Sequence, residues 1–198
     1  MKFRVTIWVL MVFLAAALLY AAESLILQRD IADKTVRLHV VANSDSQEDQ
    51  ARKLVVRDAV LREVSRLTAN CQSAEEARAV IGENLALIEE AARSVCEEEI
   101  SVSLQVEDFE TRYYDTFTLP AGEYPSLRVN IGQAEGKNWW CVVFPSLCVS
   151  ATSESVEEAA LIGGYSREEA RLITGGEQEY QIRFKTLEWL KDFADWLS

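Results

Sequence analysis

The only histidine of the sequence, His39, is the side chain best suited to general acid–base chemistry near neutral pH. With Asp45 to orient its ring and a serine or cysteine to attack, it could serve a nucleophilic hydrolase. No G-x-S-x-G motif or recognised cysteine-protease context accompanies it. A single histidine also cannot form a histidine-based metal cluster. We therefore interpret His39 as structural and predict no catalytic residue, metal site or cofactor.

The polar run Asn43, Ser44, Asp45 and Ser46 follows a predicted strand and precedes a predicted helix. Backbone N–H groups at such a junction can bind an anion, whereas Asp and Ser side chains can cap the helix. We favour capping. The carboxylates at 97–99 and 157–158 are consecutive, so they point in different directions and form no acid–base pair.

Four cysteines, Cys71, Cys96, Cys141 and Cys148, fit a protein exported to an oxidising compartment. None has the C-x-x-C spacing of a zinc or redox site. Cys71 and Cys96 flank one predicted helix that, if straight, holds them about 35 Å apart, too far for a bond. Cys141 and Cys148 are the better candidates for a disulfide, since Pro145 bends the chain between them. Two buried free thiols are the alternative.

Residues 5–22 form an uncharged apolar stretch near the N-terminus. As a helix they span about 27 Å, close to the roughly 30 Å of a bilayer core. Lys2 and Arg4 would stay cytoplasmic, so the remainder would be exported. The stretch is either cleaved as a signal peptide or kept as an anchor. We divide the chain into a basic region (1–4), the signal peptide or membrane anchor (5–22), a short stalk (23–34) and one domain (35–198).

The composition is acidic, and its apolar content is sufficient for a globular core. There are 20 Lys+Arg against 32 Asp+Glu, a net charge of −12, and 49% of the residues are hydrophobic. Such a surface repels phosphate backbones, so we predict no nucleic-acid partner. The length favours one domain.

The hydrophobic periodicity predicts where helices and strands alternate. A β-branched strand at 36–42 precedes a helix capped by Ser46, and a second helix runs from Ser73 to about residue 95. From residue 100 the period becomes 2, with strands near 100–107, 111–119, 127–131 and 139–144 that indicate an antiparallel meander. A helix capped by Ser166 and a strand–helix segment at 180–196 follow. We predict a single α+β domain, with a mainly antiparallel sheet covered by helices, behind the N-terminal membrane or signal helix.

The adjacent residues Trp139 and Trp140 point to opposite sides of a strand. One would lie in the core and the other could anchor a protein contact. The alternative is that helices cover both rings.

Three sequence stretches together resemble the stage II sporulation protein R family. They are VRLHVVANSDSQEDQ at 36–50 with KLVVRDAV at 53–60, LPAGEYPSLRVNIG at 119–132, and GKNWWCVVFPSLC at 136–148. The resemblance extends over about residues 30–190. One departure is Ser146, where the family pattern has a second proline.

The resemblance implies a non-enzymatic signal made in the forespore and exported into the space between the forespore and mother-cell membranes. There it would activate its protein partner, a membrane-embedded aspartic protease of the mother cell, which removes the pro-sequence of sigma-E. The membrane would be contacted only through the N-terminal segment, if uncleaved. The candidate contact residues are Trp139, Trp140, Arg128, Asn43, Ser44, Asp45 and Ser46. The alternatives are an exported hydrolase acting on cell-wall material through His39 and Asp45, and an anchored structural protein of the envelope.

Overall fold

The computed structural model describes residues 2–147 and 153–175. In chain order the elements are α1 (Lys2–Asp33), β1 (Val36–Val41), α2 (Gln47–Thr68), α3 (Ala74–Glu83), α4 (Leu85–Arg93), β2 (Ile100–Phe109), β3 (Arg112–Tyr113), β4 (Thr118–Leu119), β5 (Gly122–Ile131), β6 (Asn138–Phe144), α5 (Ser153–Ile162) and α6 (Arg167–Thr174). The predicted segment at 180–196 lies outside the described residues. The prediction of an α+β domain with a mainly antiparallel sheet is confirmed.

The main sheet has four strands in the order β2-β5-β1-β6. The β2–β5 and β1–β6 pairs are antiparallel, whereas β1 and β5 run parallel. The predicted meander is therefore wrong, because β1 lies between the consecutive strands β5 and β6. All six residues of β1 are buried, which is typical of a central strand covered on both faces.

Helices α2, α3 and α4 cover one face of the sheet, which we call the inner face. Its core is a cluster of aliphatic side chains that includes Val36, Leu38, Val40, Val56, Val60, Ile81, Ile88, Leu127 and Val129. Two predicted caps start these helices. The Ser46 side chain accepts the N–H of Asp49, and the Ser73 side chain accepts the N–H of Glu76. The same chemistry caps α6 at Ser166.

The single helix predicted after Ser73 is two helices, α3 and α4, separated at Asn84. The Asn84 side chain donates to the Val80 carbonyl, and its backbone N–H donates to the Ile81 carbonyl. Asparagine competes in this way with regular helical hydrogen bonds. The assumption of one straight helix between Cys71 and Cys96 is therefore wrong, and both thiols are free among the described residues.

On the opposite, outer face, the described helices and the hairpin lie near the start of β1. There the end of α1, the β3–β4 hairpin and helices α5 and α6 share a second core, formed by Ile31, Phe117, Leu119, Val142, Leu147, Val156, Ala160, Tyr165, Ala170, Leu172 and Ile173. The segment predicted as a stalk, 23–34, is helical as far as Asp33. Ser24, Ile31 and Ala32 are buried.

Candidate functional site

Four polar and aromatic side chains meet on the outer face of the sheet, beyond the part that the hairpin covers. They are His39 on β1, Glu107 on β2, Arg128 on β5 and Trp140 on β6. His39 pairs in register with both Arg128 and Trp140, so the three project from neighbouring strands. Since side chains alternate along a strand, this set lies opposite the inner-face core.

Glu107 is the centre of this network. Its Oε1 accepts a hydrogen bond from Arg128 Nη1 at 2.8 Å and lies 3.1 Å from His39 Nδ1. Burial raises the pKa of Glu107, but the polar interactions with Ser126, His39 and Arg128 outweigh it, so the pKa lies below its ordinary value. The carboxylate is therefore charged at neutral pH, where it faces Arg128.

Sequence reasoning missed Glu107, because it is one of four alternating polar residues on a strand predicted to be half-buried. The other three are Ser101, Ser103 and Gln105. In the register of β2 against β5, Glu107 lies opposite Tyr124, and only the side-chain positions bring its carboxylate to Arg128 and His39. The available signal was weak: an unusual histidine and arginine on strands of the same predicted sheet.

His39 is buried and held on three sides. Its Nδ1 faces Glu107, its Nε2 lies 2.9 Å from Asn138 Oδ1, and its ring stacks on Trp140 at 3.7 Å between centroids. Asp45, which the hydrolase hypothesis pairs with His39, instead accepts the backbone N–H of Lys137 at 2.7 Å. The structure therefore does not bring His39 and Asp45 together as a base and its orienting carboxylate.

The two tryptophans face opposite sides of β6. Trp140 is half-buried on the outer face, where it stacks on His39 and meets Phe109 edge-on at 5.0 Å. Trp139 lies on the other side with the Arg57 guanidinium 4.5 Å above its ring, and 36% of its surface is exposed. Trp139 is thus the tryptophan available to a partner, while Trp140 packs within the domain.

Arg37 is fully buried beneath the β3–β4 hairpin. Its Nη2 donates to the Tyr114 hydroxyl at 2.9 Å, and its guanidinium lies 3.9 Å from the Phe109 ring centre and 5.0 Å from that of Tyr124. Cation–π attraction thus replaces part of the hydration that the charge loses on burial. The arginine joins β1 to the hairpin that covers the outer face.

The predicted loop residues fasten the end of β1 to the connection between β5 and β6. The Asn43 side chain accepts the backbone N–H of Gln133 at 2.9 Å, and Asp45 accepts that of Lys137. Ser44 and Asn43 also donate to the Asp49 carboxylate, and these hydrogen bonds lower the pKa of Asp49 to about 2. With Ser46 as the helix cap, all four side chains hold the loop in a single shape.

Two glycines of the β5–β6 connection lie too close to this loop for any side chain. Gly132 has φ +54°, and a Cβ atom there would overlap the Asn43 side chain. At Gly136, a Cβ atom would overlap the carbonyl oxygen of Ser44, which is backbone and cannot rotate away. The loop and the connection therefore require glycine at both positions.

We expect Gly136→Ala to lower the free energy of unfolding by about 2 kcal/mol, because the backbone must shift to admit the methyl group. Chemical denaturation measures the effect. Gly82→Ala is the matched control: its Cβ would meet only Leu104 at 3.7 Å, and alanine favours the helix by about 1 kcal/mol. Equal stability of the two variants would contradict the tight packing of the loop.

Comparison with known proteins identifies the family. Residues 32–154 match the family model described as stage II sporulation protein R (spore_II_R). The chain is also 33% identical over 184 residues to "Stage II sporulation protein R" of Bacillus subtilis (strain 168), which covers 82% of each chain. This chain belongs to the stage II sporulation protein R family. The resemblance found from the sequence is thereby confirmed. No solved structure matches it.

The stage II sporulation protein R match includes the whole four-stranded sheet. Residues 32–154 contain β1 to β6, the loop at 43–46, the Glu107 network and both tryptophans. The apolar part of α1 precedes the match, although its last buried residue, Ala32, lies within it.

Cys141 of this family member is disulfide-bonded. Its predicted partner, Cys148, lies outside the described residues, so the predicted pairing stays a prediction. Cys96, one of the two free thiols, is buried and donates to Glu98 at 3.0 Å. Burial also raises the pKa of both Cys71 and Cys96, which keeps these thiols protonated.

Proposed function

We propose that this protein is an exported, non-enzymatic signal of sporulation that activates a membrane-embedded aspartic protease of the mother cell. The protease would then remove the pro-sequence of the sigma-E precursor. The observation that carries the proposal is membership of the stage II sporulation protein R family, over residues 32–154 and over 82% of the chain. The sporulation role follows from the family, and the protease target is our proposal.

The first helix supports export. It is long and apolar enough to cross a membrane, with a mean hydropathy of 2.4 over its most apolar window, none of which is buried by the domain. Lys2 and Arg4 precede the apolar stretch, and positively charged flanks remain in the cytoplasm. A signal made in the forespore would therefore present its folded domain to the space between the two membranes.

Activation requires that the domain bind the active arrangement of the protease more tightly than the inactive one, since only differential affinity shifts a population. We propose that the contact is centred on Trp139, supported by Arg57 and the adjoining loop at 43–46. Tryptophan and arginine are the residues most enriched at the energetic centres of interfaces. The loop is already rigid, so little conformational entropy is lost when a partner binds it.

Replacing Trp139 with alanine is expected to weaken activation roughly thirty-fold, which corresponds to the loss of about 2 kcal/mol of contact energy. The measurement is the rate at which the sigma-E precursor is processed at matched amounts of folded protein. Val106→Ala is the control, because Val106 is also an exposed apolar residue but lies on the opposite edge strand. Equal rates for both variants would exclude Trp139 from the contact.

The hydrolase acting on cell-wall material is the alternative function, and it depends on the imidazole of His39. With the His39→Gln variant, we expect the protease to process the precursor at the wild-type rate at matched amounts of folded protein, because glutamine can still hydrogen-bond Asn138. Losing a general base usually costs about 10² to 10⁴ in rate. A loss of that size in a folded variant would instead show that the protein acts through the imidazole, as the hydrolase hypothesis requires.

Deleting the gene in its own endospore-forming host tests the proposed function directly. The unprocessed sigma-E precursor should accumulate during sporulation, and expression of this protein in the forespore should restore cleavage. Normal processing in the deleted strain would overturn the proposal.

A further inference from the structure

The first helix is continuous from the apolar stretch into the folded domain. It extends over 32 residues, Lys2–Asp33, without a break. At 1.5 Å per residue it is about 48 Å long, which exceeds a bilayer core of roughly 30 Å by about twelve residues. Its last third therefore lies beyond the hydrocarbon core.

That last third is part of the domain's core. Ile31 is fully buried in the second core, and Leu27 packs against the same cluster. The Gln28 side chain donates to the Ala121 carbonyl, and Thr35 donates to the Ile31 carbonyl. A segment held by these contacts is a structural element, and it leaves no flexible spacer between the apolar stretch and the domain.

The outward side of residues 23–33 carries two exposed apolar residues, Leu25 and Ile26, close to the apolar stretch, and charged residues further along the helix. Leu25 and Ile26 are 55% and 62% exposed. They lie about one helical turn beyond Ala22, the end of the uncharged stretch. With residues 5–22 in the hydrocarbon core, Leu25 and Ile26 fall within about 6 Å of its edge, in the headgroup layer. The membrane around the spanning helix is therefore the apolar environment nearest to Leu25 and Ile26.

We propose that α1 is retained as an uncleaved anchor whose outward residues, Leu25 and Ile26, rest in the headgroup layer of the outer leaflet. The domain would then sit directly on the membrane in one orientation. The net charge of −12 gives no attraction to anionic lipids, so burial of apolar surface is what holds this contact.

The positions of the small residues agree with retention. Signal peptide cleavage uses small residues at alternate positions, as in A-x-A. Ala22 has Tyr20 two positions before it, and Ala21 has Leu19. The A-A-A at 15–17 satisfies the pattern but lies within the helix, in the middle of the apolar stretch. Ala22 and Ser24 also have this spacing, but both lie within the continuous helix and Ser24 is fully buried.

The first test is the mass of the full chain after expression with its own N-terminus in a host that has signal peptidase. We expect the 22.3 kDa chain in the membrane fraction, resistant to alkaline extraction. As a control, a variant with a flexible linker and an Ala-Gln-Ala site inserted between Ala22 and Glu23 should be released in shortened form. A native chain found mainly in the soluble fraction, shortened by cleavage after Ala17, Ser24 or any other residue of α1, would overturn retention.

The second test places a photo-crosslinking residue at position 26 or at position 33. The two positions lie on the same side of α1, about 10 Å apart, and both are exposed. We expect at least five-fold more lipid adducts from position 26 than from position 33. Equal yields would overturn the headgroup contact. Neither test depends on the protease, so failure here is distinct from failure of the proposed function.

Discussion

Replacing Glu107 with alanine is expected to destabilise the domain by about 3 kcal/mol, because it leaves a mostly buried histidine and a half-buried arginine without their carboxylate. Glu107 is 14% exposed and contacts both His39 and Arg128. Denaturant unfolding measures the loss. Asp108→Ala is the matched control, since its neighbouring carboxylate is exposed and should change stability by less than about 0.5 kcal/mol. Equal effects would contradict the network.

The stabilisation by Glu107 should also depend on pH. Its pKa is lower in the folded protein than the ordinary value of 4.5, so its contribution is complete above 4.5 and is lost as the pH falls through the folded value. The difference in unfolding free energy between the wild-type protein and Glu107→Gln should therefore shrink between pH 5 and pH 3. A difference that stays constant over this range would show that the charge of Glu107 contributes nothing.

Replacing Ile31 with alanine in the full chain is expected to cost about 3 kcal/mol, the usual cost of a cavity in a closed core. Ile31 is fully buried in the second core, which includes residues of α5 and α6, although it belongs to the segment that the sequence predicts as a stalk. Ile26→Ala is the control on the same helix, with 62% of its surface exposed. Thermal unfolding in detergent compares them.

We expect the Ile31 variant to melt several degrees below the Ile26 variant. If both melt with the wild-type protein, the end of α1 is not part of the core, and the retained anchor loses its structural basis.

Local signals in the sequence were sufficient for the helix starts. Ser46, Ser73 and Ser166 cap helices as predicted, because a cap depends on residues only three positions apart. The change from a period of 3.6 to a period of 2 at Ile100 likewise marks the first residue of β2. These features need no knowledge of distant contacts.

Features that depend on distant contacts were not predictable in the same way. The parallel pairing of β1 with β5 places Leu38 beside Leu127. It also places β1 between β5 and β6, which chain order alone would make neighbours. The side chains that contact the Glu107 carboxylate lie on two other strands. The segment predicted as a stalk is helical, and Ile31 within it is buried because it belongs to a hydrophobic cluster with residues of α5 and α6. The alternation of apolar and polar residues along one strand carries no information about these distant contacts.

For the candidate site, the sequence placed Trp139 and Trp140 on opposite sides of a strand, because alternation alone decides that. It did not decide which ring is exposed. His39 and Phe109 on other strands bury Trp140, while Arg57 covers only one face of Trp139. Capping by the loop residues was likewise predictable from the local sequence. The hydrogen bonds of the loop to the β5–β6 connection were not predictable in this way.

The most direct measurement of the central claim is processing of the sigma-E precursor in a non-sporulating host. The host would express the precursor and its membrane protease, with or without this protein, and immunoblotting would follow the precursor. We predict that the cleaved form appears only when this protein is exported and folded. Identical processing with and without the folded, exported protein would contradict activation of the protease.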